Sequence, residues 1–202
     1  MIDGLTRLVG YFASSQDDKI DIRLRKRELS KIRQYCLEQG LEFYPEEVIK
    51  LPAFANEVNG FIERKAKRDL PRQQFENSLR LADLSKWVEI GGVIGYNGKM
   101  FEMSYSPPDS RYIQVEKRFP NGRTISSTTP SGRFCLDDLN RAEYIIDWHT
   151  HPVGFGEVSE GDVDYIKEFL EKFGEGKQIY FVVFRASKNQ SIWYQAKKAQ
   201  PK

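Results

Sequence analysis

Cysteine and histidine are scarce in this chain of 202 residues, which contains two of each. Cys36 and Cys135 lie far apart in the sequence, so we expect two free thiols and not a disulfide-stabilised scaffold. No stretch approaches the roughly 18 apolar residues of a membrane span. The N-terminal stretch carries Asp3 and Arg7 and lacks the apolar run typical of a signal peptide. We therefore expect a soluble, cytoplasmic protein without a membrane partner.

An excess of charge of one sign is also lacking, because 31 Lys and Arg residues face 29 Asp and Glu residues. This balance is unlike that of a nucleic-acid binder, so we expect no nucleic-acid partner. Hydrophobic residues make up 40% of the chain and aromatic residues 13%, which excludes a disordered protein. The length is sufficient for one ample hydrophobic core or two small ones.

Residues 1–80 favour helices. Residues 20–39 are rich in Arg, Lys, Glu and Leu, and Gly40 follows them as a helix-ending residue. A second helical region follows Pro45 and continues to Arg64 with an apolar stripe. We interpret residues 1–80 as a helical N-terminal region that docks a partner. Five basic residues end it: Arg64, Lys65, Lys67, Arg68 and Arg72. This basic run is either a solvated face or an electrostatic docking patch.

Residues 81–202 change to a pattern of strands and turns. The strand candidates are 87–96, 99–105, 112–119, 142–148, 178–185 and 190–196. Asn97-Gly98 is a strong hairpin signal, and Asn121-Gly122 indicates a second turn. A helix is predicted to begin at Ser159, because apolar residues recur at helical spacing after it. The pattern predicts an α+β fold, with helices packed on a β-sheet.

The two histidines stand one residue apart, as His149 and His151. In an extended segment residues i and i+2 point to the same side, so both imidazoles can face one ion. Asp162 is predicted to lie in the first turn of a helix, after a loop rich in Pro and Gly. A catalytic zinc usually takes three protein ligands of this kind and leaves the fourth position to water. We therefore predict a Zn²⁺ site formed by His149, His151 and Asp162.

Ser159 and Asp162 also have a purely structural interpretation. A Ser followed three residues later by an acid resembles the capping box of a helix, in which the acid is usually Glu. The two interpretations are compatible, because Ser159 can cap the helix while Asp162 turns its carboxylate to the ion.

These residues resemble a known family, the JAMM (MPN+) metalloproteases. The family's signature is His-x-His, seven residues, Ser, two residues and Asp, and residues 149–162 match it without a gap. The family also has an upstream Glu in a strand reading Glu-x-x-Gly, which Glu89 to Gly92 resembles. The resemblance covers residues 80 to 200, and it implies a metallopeptidase domain over residues 81–202. The implied fold is a mixed β-sheet flanked by helices, of the JAMM/MPN and cytidine-deaminase-like kind.

The same resemblance implies a zinc-dependent metalloprotease or isopeptidase. Its substrate would be the C-terminus of a ubiquitin-like protein or of its conjugate, as in deubiquitinases. Family members also occur in bacterial antiphage systems that conjugate a small protein and remove it again. Glu89 would act as the general base that takes a proton from the attacking water. Ser159 would donate a hydrogen bond to the oxyanion that develops.

Alternatives remain open for two acids and for the function. Glu89 interrupts apolar residues, so it is either a buried functional acid or an exposed edge residue. Asp147 is either a group that orients a ligand imidazole or an ordinary strand-end carboxylate. Glu157 and Asp164 are competing acids near the cluster. The functional alternatives are a non-catalytic MPN-type interaction module and a RadC-like protein. RadC-like proteins typically have Asn where this chain has Thr150.

Overall fold

The computed structural model of the protein describes residues 27, 29–72, 89–106, 115–118, 124–127, 136–151 and 158–199. The helices are α1 (29–38), α2 (Ala55–Asp69), α3 (Leu136–Arg141) and α4 (Glu160–Phe173), with short 3-10 helices at Glu46–Val48 and Ala186–Lys188. The strands are β1 (Leu41–Pro45), β2 (Gly91–Tyr96), β3 (Met100–Ser106), β4 (Val115–Arg118), β5 (Thr124–Ser127), β6 (Tyr144–His151), β7 (Gln178–Arg185) and β8 (Gln190–Lys198). Within these described ranges, every helix is too short or too polar to cross a lipid bilayer.

Six strands form one mixed sheet in the order β1-β8-β7-β6-β2-β3. The central strands β6 and β7 are parallel, and all other neighbours are antiparallel. The helix α4 lies between β6 and β7 in the chain and makes the crossover that a parallel pair requires. Strands β4 and β5 form a separate two-stranded ribbon. The predicted α+β class with a mixed sheet is confirmed.

Helices cover both faces of the sheet and create two hydrophobic cores. The first core contains residues of α1 and α4, such as Cys36 and Val163, with Ile145 of β6. The second contains residues of α2, such as Val58, with Ile146 of β6. Because successive strand residues point to opposite faces, strands β2, β6, β7 and β8 supply both cores alternately. The odd-numbered residues of β6 therefore face α4. Cys36 is a free thiol, as predicted, while Cys135 lies outside the described residues.

The N-terminal region differs from the prediction at one element. Residues Leu41–Pro45 form strand β1 and pair with β8 at the edge of the sheet, where the sequence pattern indicated only helices. The helix predicted over residues 20–39 is present as α1 in its described part. The helix predicted from Pro45 to Arg64 is present as α2, which begins only at Ala55 and continues to Asp69. Both helices contribute to the cores described above. Among the described residues, those before and after residue 80 therefore share their cores, and the N-terminal region contributes to the same sheet.

The strand predictions are correct in position and differ at their ends. The predicted strand 87–96 begins only at Gly91, and residues 87–88 lie outside the described part of the chain. Gly98, with φ of 82°, forms the predicted hairpin turn between β2 and β3. The turn at Asn121-Gly122 falls outside the described residues, between the ribbon strands β4 and β5. Strand β6 extends to residue 151, so both histidines belong to the strand itself.

Gly92 shows why the Glu-x-x-Gly pattern needs its glycine. A Cβ atom at this position would lie 2.4 Å from the carbonyl oxygen of Ser104 on β3 and 3.2 Å from Nε1 of Trp148 on β6. The first distance is far inside van der Waals contact, so any larger residue would force β3 away from β2. The glycine therefore allows the close approach of the strands beside the candidate site.

The basic run at the end of α2 is largely paired with acids. Lys65 lies 2.6 Å from the carboxylate of Glu102, and its ammonium sits 3.9 Å from the centre of the Tyr105 ring. Lys67 pairs with Glu63 on the preceding turn of α2. Arg68 forms a bidentate ion pair with Asp69. These contacts neutralise much of the positive charge, which favours the interpretation of the run as a solvated face.

Candidate metal centre

The sheet and α4 bring His149, His151 and Asp162 together. The two histidines lie at alternate positions near the end of β6, and Asp162 lies in the first turn of α4. One potential ligand atom from each of the three residues lies within 4.8 Å of the others. The two Nε2 atoms are 2.9 Å apart. Asp162 places Oδ1 3.3 Å from Nε2 of His149 and Oδ2 3.5 Å from Nε2 of His151.

These separations fit three ligands of one metal ion. Zinc bonds of about 2.0 to 2.1 Å at tetrahedral angles place neighbouring ligand atoms about 3.3 Å apart. The two distances from Asp162 agree with this value, and the His149–His151 distance is shorter by a few tenths of an ångström. Two imidazoles and one carboxylate suit zinc and several other divalent first-row metals. The arrangement is therefore a candidate metal centre that needs only a small outward shift of the imidazoles.

The capping box predicted at the start of α4 is present, and it shares a carboxylate with the metal centre. The backbone N–H of Ser159 donates to Oδ2 of Asp162 at 2.6 Å, and the N–H of Asp162 donates to the Ser159 hydroxyl at 3.2 Å. The Ser159 hydroxyl also donates to Oδ2 at 2.7 Å. The cap fixes the Asp162 side chain in the orientation that brings both of its oxygens to the histidines. The capping interpretation is therefore confirmed, and the geometry is compatible with metal binding by the same carboxylate.

Asp162 and His149 form an ion pair inside the candidate centre. Burial of the His149 imidazole disfavours its charged form, but the Asp162 carboxylate, with smaller contributions from Glu89 and Asp147, outweighs burial and raises the pKa of His149 to about 9. Burial also disfavours the charged form of Asp162, but His149 and His151 hold the pKa of that carboxyl well below its ordinary value. In the metal-free protein at neutral pH His149 is therefore protonated, and the positive charge of its imidazolium balances the Asp162 carboxylate as a metal ion would. A metal ion must displace this proton to bind.

Glu89 lies beside the centre, but not inside the strand as the apolar pattern indicated. It is exposed and stands two residues before Gly91, where β2 begins. The ladder between β2 and β6 begins with the pair Gly91 and His149, so Glu89 precedes the paired segment. The expectation of an acid inside the strand is therefore wrong, and Glu89 lies just before the paired segment. Although the residue as a whole is exposed, desolvation of its carboxyl by the surrounding protein raises the pKa of Glu89. The charges of His151 and His149 oppose this shift, and the charge of Asp162 adds to it. These interactions place the carboxyl within electrostatic reach of all three candidate ligands.

Asp147 is a buried acid in the middle of β6, with 3% of its surface exposed. The interpretation as an ordinary strand-end carboxylate is therefore wrong. Asp147 faces α4, two residues before His149, and accepts a hydrogen bond of 3.4 Å from the hydroxyl of Tyr165. Burial raises the pKa of Asp147 to about 7, against the opposing effects of His149 and the Tyr165 hydroxyl. The pair joins the strand that carries the histidines to the helix that carries Asp162.

Replacing Asp147 with Asn is expected to weaken zinc binding about 10- to 100-fold, the effect typical of groups that orient ligand imidazoles. The physical reason is the loss of the negative charge that Asp147 carries above its pKa of about 7 and that acts on His149, so the comparison is made at a pH above that value. The dissociation constant would be measured by competition with a chelator at fixed pH. Asp164→Asn is the matched control, because Asp164 also lies on α4 but accepts a hydrogen bond from Tyr35 of α1. Equal zinc affinity in wild type and Asp147→Asn would contradict this role.

Sequence reasoning missed two residues beside the centre. Tyr165 is one, because the partner of its hydroxyl lies on another element, 18 residues earlier in the chain. Arg185 is the other: it ends the apolar strand β7, is 4% exposed and is the register partner of His151. Neighbours in register point to the same face, so the Arg185 side chain shares the face of His151. A charged residue at the end of an otherwise apolar strand was the available signal.

The competing acid Glu157 lies outside the described residues.

Comparisons with known proteins identify no relative. No protein-family model, curated protein or solved structure matches this chain. The resemblance to the JAMM family thus depends on the residues named above.

Proposed function

We propose that the protein is a zinc-dependent metallopeptidase of the JAMM type. The observation that carries the proposal is the convergence of His149, His151 and Asp162, whose ligand atoms lie within 4.8 Å of one another. This support is independent of the motif's spacing, because the strand and the helix that supply the ligands could have placed them apart. Three protein ligands leave the fourth coordination position of a catalytic zinc ion to a water or a substrate oxygen.

The residues around the centre supply the groups that amide hydrolysis needs. Zinc, when bound, would supply Lewis acidity that activates a water molecule and polarises the scissile carbonyl. Glu89 would accept a proton from the attacking water and deliver it to the departing amine. Its raised pKa suits this role, because a base works best when its pKa approaches the working pH.

Ser159 would donate a hydrogen bond to the oxyanion. In the structure its hydroxyl donates to Asp162, so the hydroxyl must turn toward the substrate for this step. Asp162 keeps its orientation during this rotation, because the backbone N–H of Ser159 also donates to the same carboxylate oxygen. The expected contribution of such a donor is about 3 kcal/mol of transition-state stabilisation.

The substrate in this proposal is the C-terminus of a ubiquitin-like protein, either as a precursor or as a conjugate. The resemblance to the JAMM family supports this assignment, and a role in a bacterial antiphage conjugation system follows from the same resemblance. A ubiquitin-like protein and its activating and conjugating enzymes encoded in neighbouring genes would identify the natural substrate. The N-terminal region, with α1 packed against α4, is the proposed docking module for a partner.

The proposal is tested with the purified full-length chain. Metal content is measured first, and the protein is then freed of metal with a chelator and reloaded with zinc. The substrates are a ubiquitin-like protein extended at its C-terminus by a short peptide and the same protein joined to a lysine side chain. We expect cleavage that disappears with chelation and returns with zinc. Stoichiometric zinc without cleavage of either substrate would favour the non-catalytic interaction module, and absence of bound metal would overturn the metal centre itself.

A further inference from the structure

We propose that Thr150, the residue between the two histidines, is a positioning residue that fixes Glu89 relative to the metal ligands. The inference rests on the proposed function for the role of Glu89 as the base. The hydrogen bonds that carry it, however, are features of the fold and can be tested without any substrate.

Two hydrogen bonds between Ile90 and Thr150 lie just beyond the pair Gly91 and His149, at one end of the ladder between β2 and β6. The last register pair is Gly91 and His149, and one residue further Ile90 faces Thr150. The N–H of Thr150 donates to the carbonyl oxygen of Ile90 at 2.8 Å. The N–H of Ile90 donates to the side-chain Oγ1 of Thr150 at 2.9 Å. In a regular hydrogen-bonded antiparallel pair, the second bond would go to a backbone carbonyl. The Thr150 side chain takes over that role and extends the attachment of the strand by one residue.

Both partners are shielded from water. Thr150 is 0% exposed and Ile90 is 1% exposed. A hydrogen bond lost at this depth leaves the Ile90 N–H without an acceptor, and water cannot readily replace it. The side chain that provides the acceptor must be short and must carry an oxygen on Cβ. Among the common residues, Thr and Ser meet this requirement, whereas Val has the shape of Thr without the acceptor.

Glu89 depends on this attachment because it is joined directly to Ile90. It lies outside the ladder, so the position of its backbone follows from that of Ile90. The attachment of Ile90 is made to the residue flanked by His149 and His151. The same hydrogen bond therefore sets the position of the base relative to both imidazoles. Displacement of a catalytic group by about 1 Å can reduce a rate about 100-fold, so this position matters for the chemistry.

The test compares Thr150→Val with Thr150→Ser in the zinc-loaded full-length protein. Val removes the acceptor and keeps the shape, and we expect kcat to fall about 10- to 100-fold with KM and zinc content unchanged. Ser keeps the acceptor and should restore most of the rate. A double-mutant cycle with Glu89→Gln follows, in which Thr150→Val should cause little further loss because the base is already absent. Equal impairment of the Ser and Val variants, or the same fold-loss from Val with and without Glu89, would overturn the proposal.

A second measurement does not depend on activity. Hydrogen exchange at the Ile90 amide should be faster in Thr150→Val than in wild type, and a crystal structure of the zinc-loaded variant should show Glu89 displaced. Thr150→Ala serves the same purpose if the Val variant does not fold. Unchanged exchange and an unmoved Glu89 would contradict the inference. An inactive, zinc-loaded wild-type protein would instead contradict the proposed function, so the two failures are distinguishable.

Discussion

Replacing Glu89 with Gln is expected to reduce hydrolysis about 10²- to 10⁴-fold, the range typical for loss of a general base or acid. The amide has nearly the shape of the carboxyl group but cannot accept the proton of the attacking water. Glu89 is not among the three convergent ligands, so zinc content should be unchanged. The measurement is kcat for cleavage of the C-terminally extended ubiquitin-like protein, together with the metal content of the same sample.

Two variants control this experiment. Glu143→Gln changes an exposed acid just before β6, at the end of that strand away from the histidines, and it should leave the rate unchanged. Glu89→Asp keeps a carboxyl on a side chain one methylene shorter and should show intermediate activity, because a base is present but misplaced. A fully active Glu89→Gln variant would remove Glu89 from the mechanism and leave the metal centre without an assigned base.

Replacing Asp162 with Asn is expected to abolish stoichiometric zinc binding, and with it hydrolysis. The loss of affinity should exceed the 10- to 100-fold expected for groups behind the ligands, since a direct ligand is lost. Calorimetric titration of the metal-free protein with zinc measures this. Glu160→Gln is the matched control, because Glu160 is an exposed acid in the same first turn of α4 and is not one of the convergent residues. Unchanged zinc affinity in Asp162→Asn would refute the ligand assignment.

The same variant has a defined effect on the pH dependence of stability in the metal-free protein. Because the pKa of His149 rises from 6.5 to about 9 on folding, its ion pair with Asp162 contributes fully below pH 6.5 and declines as the pH rises through about 9. The pKa of Asp162 is lowered from 3.8, so its contribution is present above that value and is lost in stronger acid. Wild type should therefore exceed Asp162→Asn in stability most clearly between about pH 4 and 6.5, and the difference should shrink toward pH 9. Urea unfolding across this pH range tests the trend.

The convergence of the three candidate ligands could be predicted, because much of their arrangement is encoded locally. Because side chains alternate between the two faces of a strand, His149 and His151 lie on one face, and the capping box of the helix orients Asp162. Each of these effects extends over four residues or fewer. The sequence also identified most strands and the hairpin at Asn97-Gly98, for the same local reason.

Features that depend on distant partners were not predictable. Strand β1 exists because its backbone pairs with β8 at the far end of the chain, and five residues after a helix-ending glycine carry no strong strand signal. Glu89 was misplaced for a related reason: apolar residues surround it, but the ladder with β6 begins two residues later. The exposed position of the acid follows from tertiary pairing, which local periodicity does not contain.

The double use of the Asp162 carboxylate determines how the protein would respond to chelation. Small zinc domains often fold only around their ion, because nothing else brings their ligands together. Here the cap of α4 and the protonated His149 hold the three side chains together in advance, with the proton standing in for the ion's charge. Chelation should therefore leave the fold and the three side chains in place, so that a metal ion can rebind without refolding of the chain.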